Sequence, residues 1–299
     1  MKNSINGWVN FYKPIGMSSA QAVNKVKWLL KAKKCGHAGT LDPLATGILP
    51  LAFGEATKCI NLLVDAKKIY RFRVTFGERR STDDAEGEVL ATSNVIPTED
   101  AIKAILPKFT GEIQQTPPIY SAIKVEGERA YDLARAGEDV QLNARTVSVH
   151  SLELKGFNAP NEAEFEALVG KGTYIRSLGR DIAQALGSEG FISLLHRAAV
   201  GPFHEGQAIS LDFLENSAHI PANFEGGTPD WLLPTHAALV DIPAVTIGDS
   251  EWQKLRYGNG FHHPHPPTQL LGLIYQDELV ALAETDGTMI QPKRLLNVF

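Results

Sequence analysis

The sequence predicts an α+β fold followed by a second, small β-rich domain. Residues 69–77 alternate strictly, with Tyr70, Phe72, Val74 and Phe76 on one side and Arg71, Arg73 and Thr75 on the other. That is the period of a half-buried strand. Val23, Val26 and Leu30, and again Ile175, Leu178, Ile182 and Leu186, recur at the spacing of helices with one buried stripe. Between residues 216 and 234, Pro221, Gly226, Gly227, Pro229 and Pro234 interrupt any period and predict a linker. The expected domains are 1–235 and 240–299.

The elements follow in order. Residues 8–12 read as a short strand, and Lys13-Pro14-Ile15-Gly16 as a turn. Ser18 or Ser19 caps a helix running to about residue 34, with Lys27, Lys31 and Lys34 opposite its apolar stripe. A short helix is expected near 59–63, then the alternating strand, whose outer face is basic and whose aromatic side Tyr70 leads. Residues 79–87 form a polar loop that mixes Arg79 and Arg80 with Asp83, Asp84 and Glu86, the composition of a self-satisfied surface turn. A helix is expected over 99–108, and an extended segment over 114–122, where Pro117 and Pro118 leave little else. Residues 131–137 make a short helix closed by Gly137.

Residues 147–154 read as a strand with one slip in its alternation, a bulge, and Phe165, Ala167 and Val169 mark another. The helix beginning near Ile175 carries Arg176 in its first turn, where the helix dipole disfavours a cation. That placement calls for an external carboxylate or phosphate. His196-Arg197 extends the basic surface. In the last domain, residues 270–275 and 279–283 alternate around Gln276-Asp277-Glu278, with a further turn at Asp286-Gly287.

Composition narrows the function. The chain has 299 residues, 43% hydrophobic and 21% charged, with no apolar run long enough to span a membrane. Its start has no apolar core followed by a cleavage site, so no signal peptide is expected. Cys35 and Cys59 lack metal spacing and point to a reducing, cytoplasmic setting. His262, His263 and His265 lie among prolines with no thiol or paired carboxylate, so a loop is favoured over a metal site. Net charge is −5, yet before Asp42 the chain carries Lys2, Lys13, Lys25, Lys27, Lys31, Lys33 and Lys34 and no acid. A basic face beside a site attracts a polyanion whatever the total charge; the plainer reading is a solvated helix face.

That basic region leads into residues 36–50, Gly-His-Ala-Gly-Thr-Leu-Asp-Pro-Leu-Ala-Thr-Gly-Ile-Leu-Pro. Gly36, Gly39 and Gly47 permit unusual backbone angles, and Pro43 pushes Asp42 into an extended conformation. By itself this is an Asp-Pro turn.

Several segments together resemble the bacterial TruB-type tRNA pseudouridine-55 synthases. They are Lys13-Pro14-x-Gly16-x-Ser18, the 36–50 stretch, Tyr70 entering its strand, Gly172-Thr173-Tyr174-Ile175-Arg176-Ser177-Leu178 and, more weakly, residues 115–122. Order and spacing agree as far as about Arg197. Ala38 departs from a position where a hydroxyl or glycine is common, and residues 196–199 are less arginine-rich than the family pattern.

The resemblance implies a mixed, mainly antiparallel central sheet with flanking helices, and a PUA-like RNA-binding domain at the C-terminus. It implies isomerisation of a uridine in the T-arm of tRNA, with no cofactor and no metal. Asp42, Tyr70 and Arg176 are the implied catalytic residues, and His37, Tyr174, Leu195 and Lys13 the implied substrate-binding ones. Asp42 supplies a carboxylate as nucleophile or base, Arg176 a guanidinium that opposes the cost of desolvating it, Tyr70 a stacking platform or also a late proton acceptor, and His37 either a filler for the space left by the flipped base or an RNA-loop contact. No obligate interface is visible, so a monomer is expected. Two other classes stay open: a non-catalytic RNA-binding or tRNA-folding protein, and a nucleoside or glycoside hydrolase. The hydrolase would need a second carboxylate, absent from the matched segments.

Overall fold

The structure, a computed structural model, describes residues 3–121, 123–125, 127–138, 140–158, 160–217 and 228–297. Along the chain run β1 (Gly7–Lys13), α1 (Ser19–Leu29), β2 (Cys35–His37), β3 (Thr46–Phe53), α2 (Ile60–Asp65), β4 (Lys68–Phe76), β5 (Glu78–Arg80), β6 (Val89–Thr92), α3 (Glu99–Ile105) and β7 (Gly111–Gln115). After them come β8 (Lys124–Val125), β9 (Glu128–Arg129), α4 (Ala130–Arg135), β10 (Arg145–Asn158), β11 (Glu162–Val169), α5 (Ile175–Ala185), β12 (Gly190–Val200), β13 (Phe203–His204) and α6 (Leu211–Asn216). The last elements are β14 (Leu232–Leu233), β15 (Ala244–Thr246), α7 (Asp249–Leu255), β16 (Phe261–His262), β17 (Thr268–Tyr275), β18 (Glu278–Thr285) and β19 (Met289–Leu295). No helix among the described residues is long and apolar enough to cross a membrane.

Contacts divide the chain into two compact units: 1–42, 48–66 and 200–299 form one, and 43–47 with 67–199 the other. The boundary expected between 235 and 240 therefore falls inside the first unit. The reason is apolar. Leu279, Leu282 and Leu296 of the C-terminal sheet share a buried cluster with Trp8, Ile48, Ala52, Cys59 and Phe203. Lys58 donates to the Leu295 carbonyl at 2.9 Å, and the Glu55 carboxylate accepts from the Asn297 amide at 2.7 Å. The other face of that sheet, ordered β15-β17-β18-β19-β16, closes its own core around Leu255, Phe261, Leu273, Ala281 and Ile290. β18 is consequently buried on both faces, which is why Leu279-Val280-Ala281-Leu282-Ala283 reads as a run rather than an alternation. Gln276 and Asp277 both take positive φ, as the β17–β18 hairpin turn requires. Most of the expected linker, residues 218–227, lies outside the described residues; its later part includes β14, which pairs with β1.

In the first unit, Ser18 caps α1 with a reciprocal Gln21 bond, but the helix stops at Leu29 rather than near residue 34. Asn3 ends it, its side chain taking the Leu30 carbonyl at 3.0 Å and its amide the Lys31 carbonyl at 2.8 Å, with Lys31 at φ 48°. The buried positions are Ser19, Ala22, Val26 and Leu30, so Ala22 holds the core place assigned to Val23.

In the second unit, β12 runs parallel to the start of β3, and β4, β11, β10 and β7 follow in order, β11 antiparallel to both β4 and β10 and β10 antiparallel to β7. β10 carries register shifts at Val149/Ser151 and Leu154/Gly156, so the slip in its alternation is a bulge. The outer face of β4 is not a free basic surface. Arg71 pairs with Glu166 at 2.9 Å and Arg73 with Glu164 at 2.6 Å, across from them on β11. α5 lies close to the sheet because Gly179 and Gly190 leave no side chain between it and Val74 or Ile192.

Candidate active site

β2 and β3 pair antiparallel from Cys35↔Phe53 to His37↔Leu51, so residues 38–45 form the loop of a hairpin. Ala38, Leu41 and Ala45 are buried and anchor that loop, while Asp42 is half-buried between Leu41 and the exposed Pro43. Gly39 and Gly47 take positive φ. Gly36 does not; a Cβ there would meet the Ile60 side chain at 2.8 Å, so its glycine answers a packing need. At Gly47 the φ is +104° and an added Cβ would sit 2.2 Å from the Arg197 carbonyl oxygen, so this position needs glycine twice over.

The residue before Asp42 is clamped. The Ser19 hydroxyl accepts from the Leu41 amide at 2.8 Å and donates to the Leu41 carbonyl at 3.0 Å. Ser19 is the first residue of α1, so the helix start fixes the backbone next to the carboxylate. At the other end of the loop, Thr46 Oγ1 and His196 Nδ1 lie 2.8 Å apart, where β3 meets β12. Upstream, burial pushes the Cys35 thiol up to about 12 against the pull of Lys27. His37 is half-buried on β2. Lys13 is fully buried, and its ammonium donates to the Pro14 and Met17 carbonyls at 2.9 and 2.6 Å. It holds the turn ahead of α1 and is not part of the exposed lysine face.

Tyr70, Tyr174, Arg176 and Leu195 all belong to the second unit. Tyr70 is half-buried on β4, opposite Ala167. Arg197 Nη1 approaches its hydroxyl at 3.5 Å, a long contact. Arg197 is only 1% exposed, so it does not extend a basic surface as its sequence position implied; it lies inside the sheet. Leu195, two residues before it on β12, is buried, and its neighbour Leu194 is exposed.

Tyr174 precedes α5. Its amide donates to Gln115 Oε1 at 2.8 Å and its carbonyl accepts from Gln115 Nε2 at 3.1 Å, while the Arg145 guanidinium lies over its ring. Arg176 is 5% exposed. It donates to the Thr82 carbonyl at 3.0 Å and the Tyr120 carbonyl at 2.9 Å, and Nη1 lies 3.5 Å from Asp84 Oδ2. The external anion expected for this helix-start cation is thus matched by an internal one. Asp84 in turn accepts from Thr82 Oγ1 at 2.5 Å and from the Glu86 amide at 3.0 Å. One turn along α5, Arg180 pairs with Asp83 at 2.7 Å and donates to the Thr116 carbonyl at 2.9 Å. Burial pushes the Asp83 carboxyl up, and Arg180 and Arg176 oppose the rise.

The polar loop at 79–87 is therefore no surface turn. Asp83 and Asp84 are buried, and the loop is tied to β12 through Ile192. Sequence reading missed Asp84, Gln115 and Ser19 as supports. The signal was present in part: a cation at a helix start without a partner, and two adjacent acids in a loop without a stated use.

Residues 27–175 match the family described as TruB family pseudouridylate synthase (N terminal domain). A tRNA pseudouridine synthase B of Bradyrhizobium diazoefficiens is 49% identical over 99% of this chain and 87% of the relative. One of Rhizobium meliloti is 46% identical over 97% and 95%. Among solved structures, a Cbf5-Nop10-Gar1 complex matches at TM-score 0.73 and 28% identity, covering 97% of this chain and 84% of the matched one. An H/ACA RNP bound to a substrate RNA containing 2′-deoxyuridine matches at TM-score 0.73 and 25% identity, over the same shares.

Proposed function

We propose, because this chain belongs to the TruB family of pseudouridylate synthases, that it converts uridine 55 in the T-arm of tRNA to pseudouridine. The observation that carries this is likeness at 49% identity over 99% of the chain. The reaction is an isomerisation. The C1′–N1 bond breaks, the uracil turns, and a C1′–C5 bond forms, while a proton leaves C5 and one is gained at N1. No oxidant or reductant enters the balance, so the reading needs neither cofactor nor metal. The enzyme works as a monomer in the cytoplasm.

Asp42 supplies the carboxylate for breaking and remaking the bond at the sugar. A pinned loop supports this role, because a group already held in place loses little entropy as the substrate reacts. Arg176 supplies a permanent positive charge in a fixed orientation, and its buried partners support that reading. The target base leaves the stack at a cost of a few kcal/mol, and one aromatic platform returns roughly 1–3 kcal/mol. Tyr70 is that platform. His37 fills the vacated place in the RNA loop, and Tyr174 and Leu195 line the base pocket. Lys13 acts through the turn it holds, and the C-terminal sheet, PUA-like, adds RNA contact.

The experiment is incubation of the purified chain with unmodified tRNA and mapping of pseudouridine. Product at position 55, absent with Asp42→Ala although that variant still binds RNA, is the expected result. Free uracil among the products would instead make the chain a hydrolase. Binding without any product would leave the RNA-folding reading.

A further inference from the structure

The C-terminal end of α1 carries an aromatic side chain that the fold leaves largely in solvent. Trp28 is 71% exposed, whereas Trp8 is fully buried and Trp231 and Trp252 are partly covered. The Lys25 ammonium stands over its ring, 5.7 Å from the centroid, and also pairs with Glu215 of α6 at 2.7 Å. Lys31, Lys33 and Lys34 follow within six residues and are exposed, Lys33 reaching the Ser4 hydroxyl. Lys27 lies on the same helix, close enough to Cys35 to pull on its thiol. Cations near a helix C-terminus are explained by the helix dipole. A tryptophan left in water is not, since burying the ring would gain more than almost any other side chain.

We propose that Trp28 is a stacking platform for an unpaired nucleotide of the bound tRNA, set among lysines that take the flanking phosphates. This rests on the tRNA-modifying reading above and adds a docking point to it. Charge selects the occupant. No acid precedes Asp42 in the chain; among the described residues Glu215 pairs with Lys25 and Glu55 faces the charge of Lys34, and the lysines outnumber these acids, which suits a polyanion. The ring selects the nucleotide. Bases inside a duplex hide their faces, so a ring in solvent finds its partner at a loop or a strand end.

The test is the Kd of unmodified tRNA for the full chain and for Trp28→Ala, Trp28→Leu and Trp28→Phe, measured over a range of salt. At 71% exposure these changes leave folding intact. Loss of one base–aromatic stack raises Kd about 5- to 150-fold in the Ala and Leu variants, with Phe between them and wild type. The slope of log Kd against log salt stays as in wild type, because no phosphate contact is lost, while Lys31→Ala makes it shallower. Quenching of tryptophan fluorescence by iodide falls when tRNA is bound. Kd values for Ala and Leu within about twofold of wild type would overturn the proposal. So would a Leu variant that keeps wild-type Kd while Ala loses it, because the surface would then be an apolar patch suited to a protein. If wild-type protein binds tRNA yet forms no pseudouridine, the functional reading fails and Trp28 is still judged by Kd.

Discussion

Around Asp42 the fixing contacts are one hydroxyl gripping the Leu41 backbone from 22 positions away and the Thr46–His196 pair, 150 positions apart, with no ion pair among them. Around Arg176 they join residues 56 and 94 positions away, and two buried carboxylates take part. Both regions use the same small device, a buried polar side chain that grips one residue's amide and carbonyl together: Ser19 on Leu41, and Gln115 on Tyr174. Beyond that they diverge. The loop is shaped by Gly39 and Gly47, which reach positive φ, and by Pro43, which fixes its own φ. The helix start is shaped by an ion network that stands only if distant segments fold onto it. The carboxylate sits on a loop held at its two ends, whereas the buried cation must be satisfied from several directions at once.

Variants can break that contrast, the largest effect coming from the acid itself. Asp42→Ala abolishes pseudouridine formation while tRNA binding, measured by filter retention, stays near wild type; residual turnover would move the chemistry elsewhere. Arg176→Lys keeps the charge and loses the planar fork that serves Thr82, Tyr120 and Asp84. A fall in kcat of about 100-fold is expected, read in single-turnover assays. Asp84→Asn leaves Arg176 buried with its carbonyls but without its carboxylate. It destabilises the chain by about 3 kcal/mol in urea unfolding and lowers kcat as well.

Smaller changes separate the two clamps. Ser19→Ala and Gln115→Ala each leave a backbone pair unserved and cost about 1–3 kcal/mol, with reduced turnover in both. If only Gln115→Ala affected turnover, the Asp42 loop would be rigid without its clamp. The smallest effect is in pH. Burial holds the Asp83 carboxyl above its ordinary value, so between the unfolded and native pKa the native form keeps a proton that the unfolded chain has released. Stability from this group is full below its unfolded pKa and is lost as pH rises through the native one. Comparing unfolding curves of wild type and Asp83→Asn in mild acid should show a shallower decline in the variant.

Much of the fold was legible because it is written in period and punctuation. The strand with Tyr70, the Ser18 cap, the start of α5 and the β17–β18 hairpin were read from spacing and turn residues, and the motif around Asp42 carried the family. The stop of α1 was not legible, since Asn3 enforces it from outside the helix. Nor was the use of residues 79–87, whose mixed charges look the same whether solvated or buried.

By itself, the sequence determined where the backbone must bend and which segments mark the family. Those depend on φ limits and residue identity, both local. Tertiary structure alone decided that Arg71 and Arg73 are neutralised, that Arg197 and Lys13 are buried, and that Asp84 and Gln115 support the helix start. Pairing and burial depend on which segments meet across the sheet, and a linear pattern holds no distance between them.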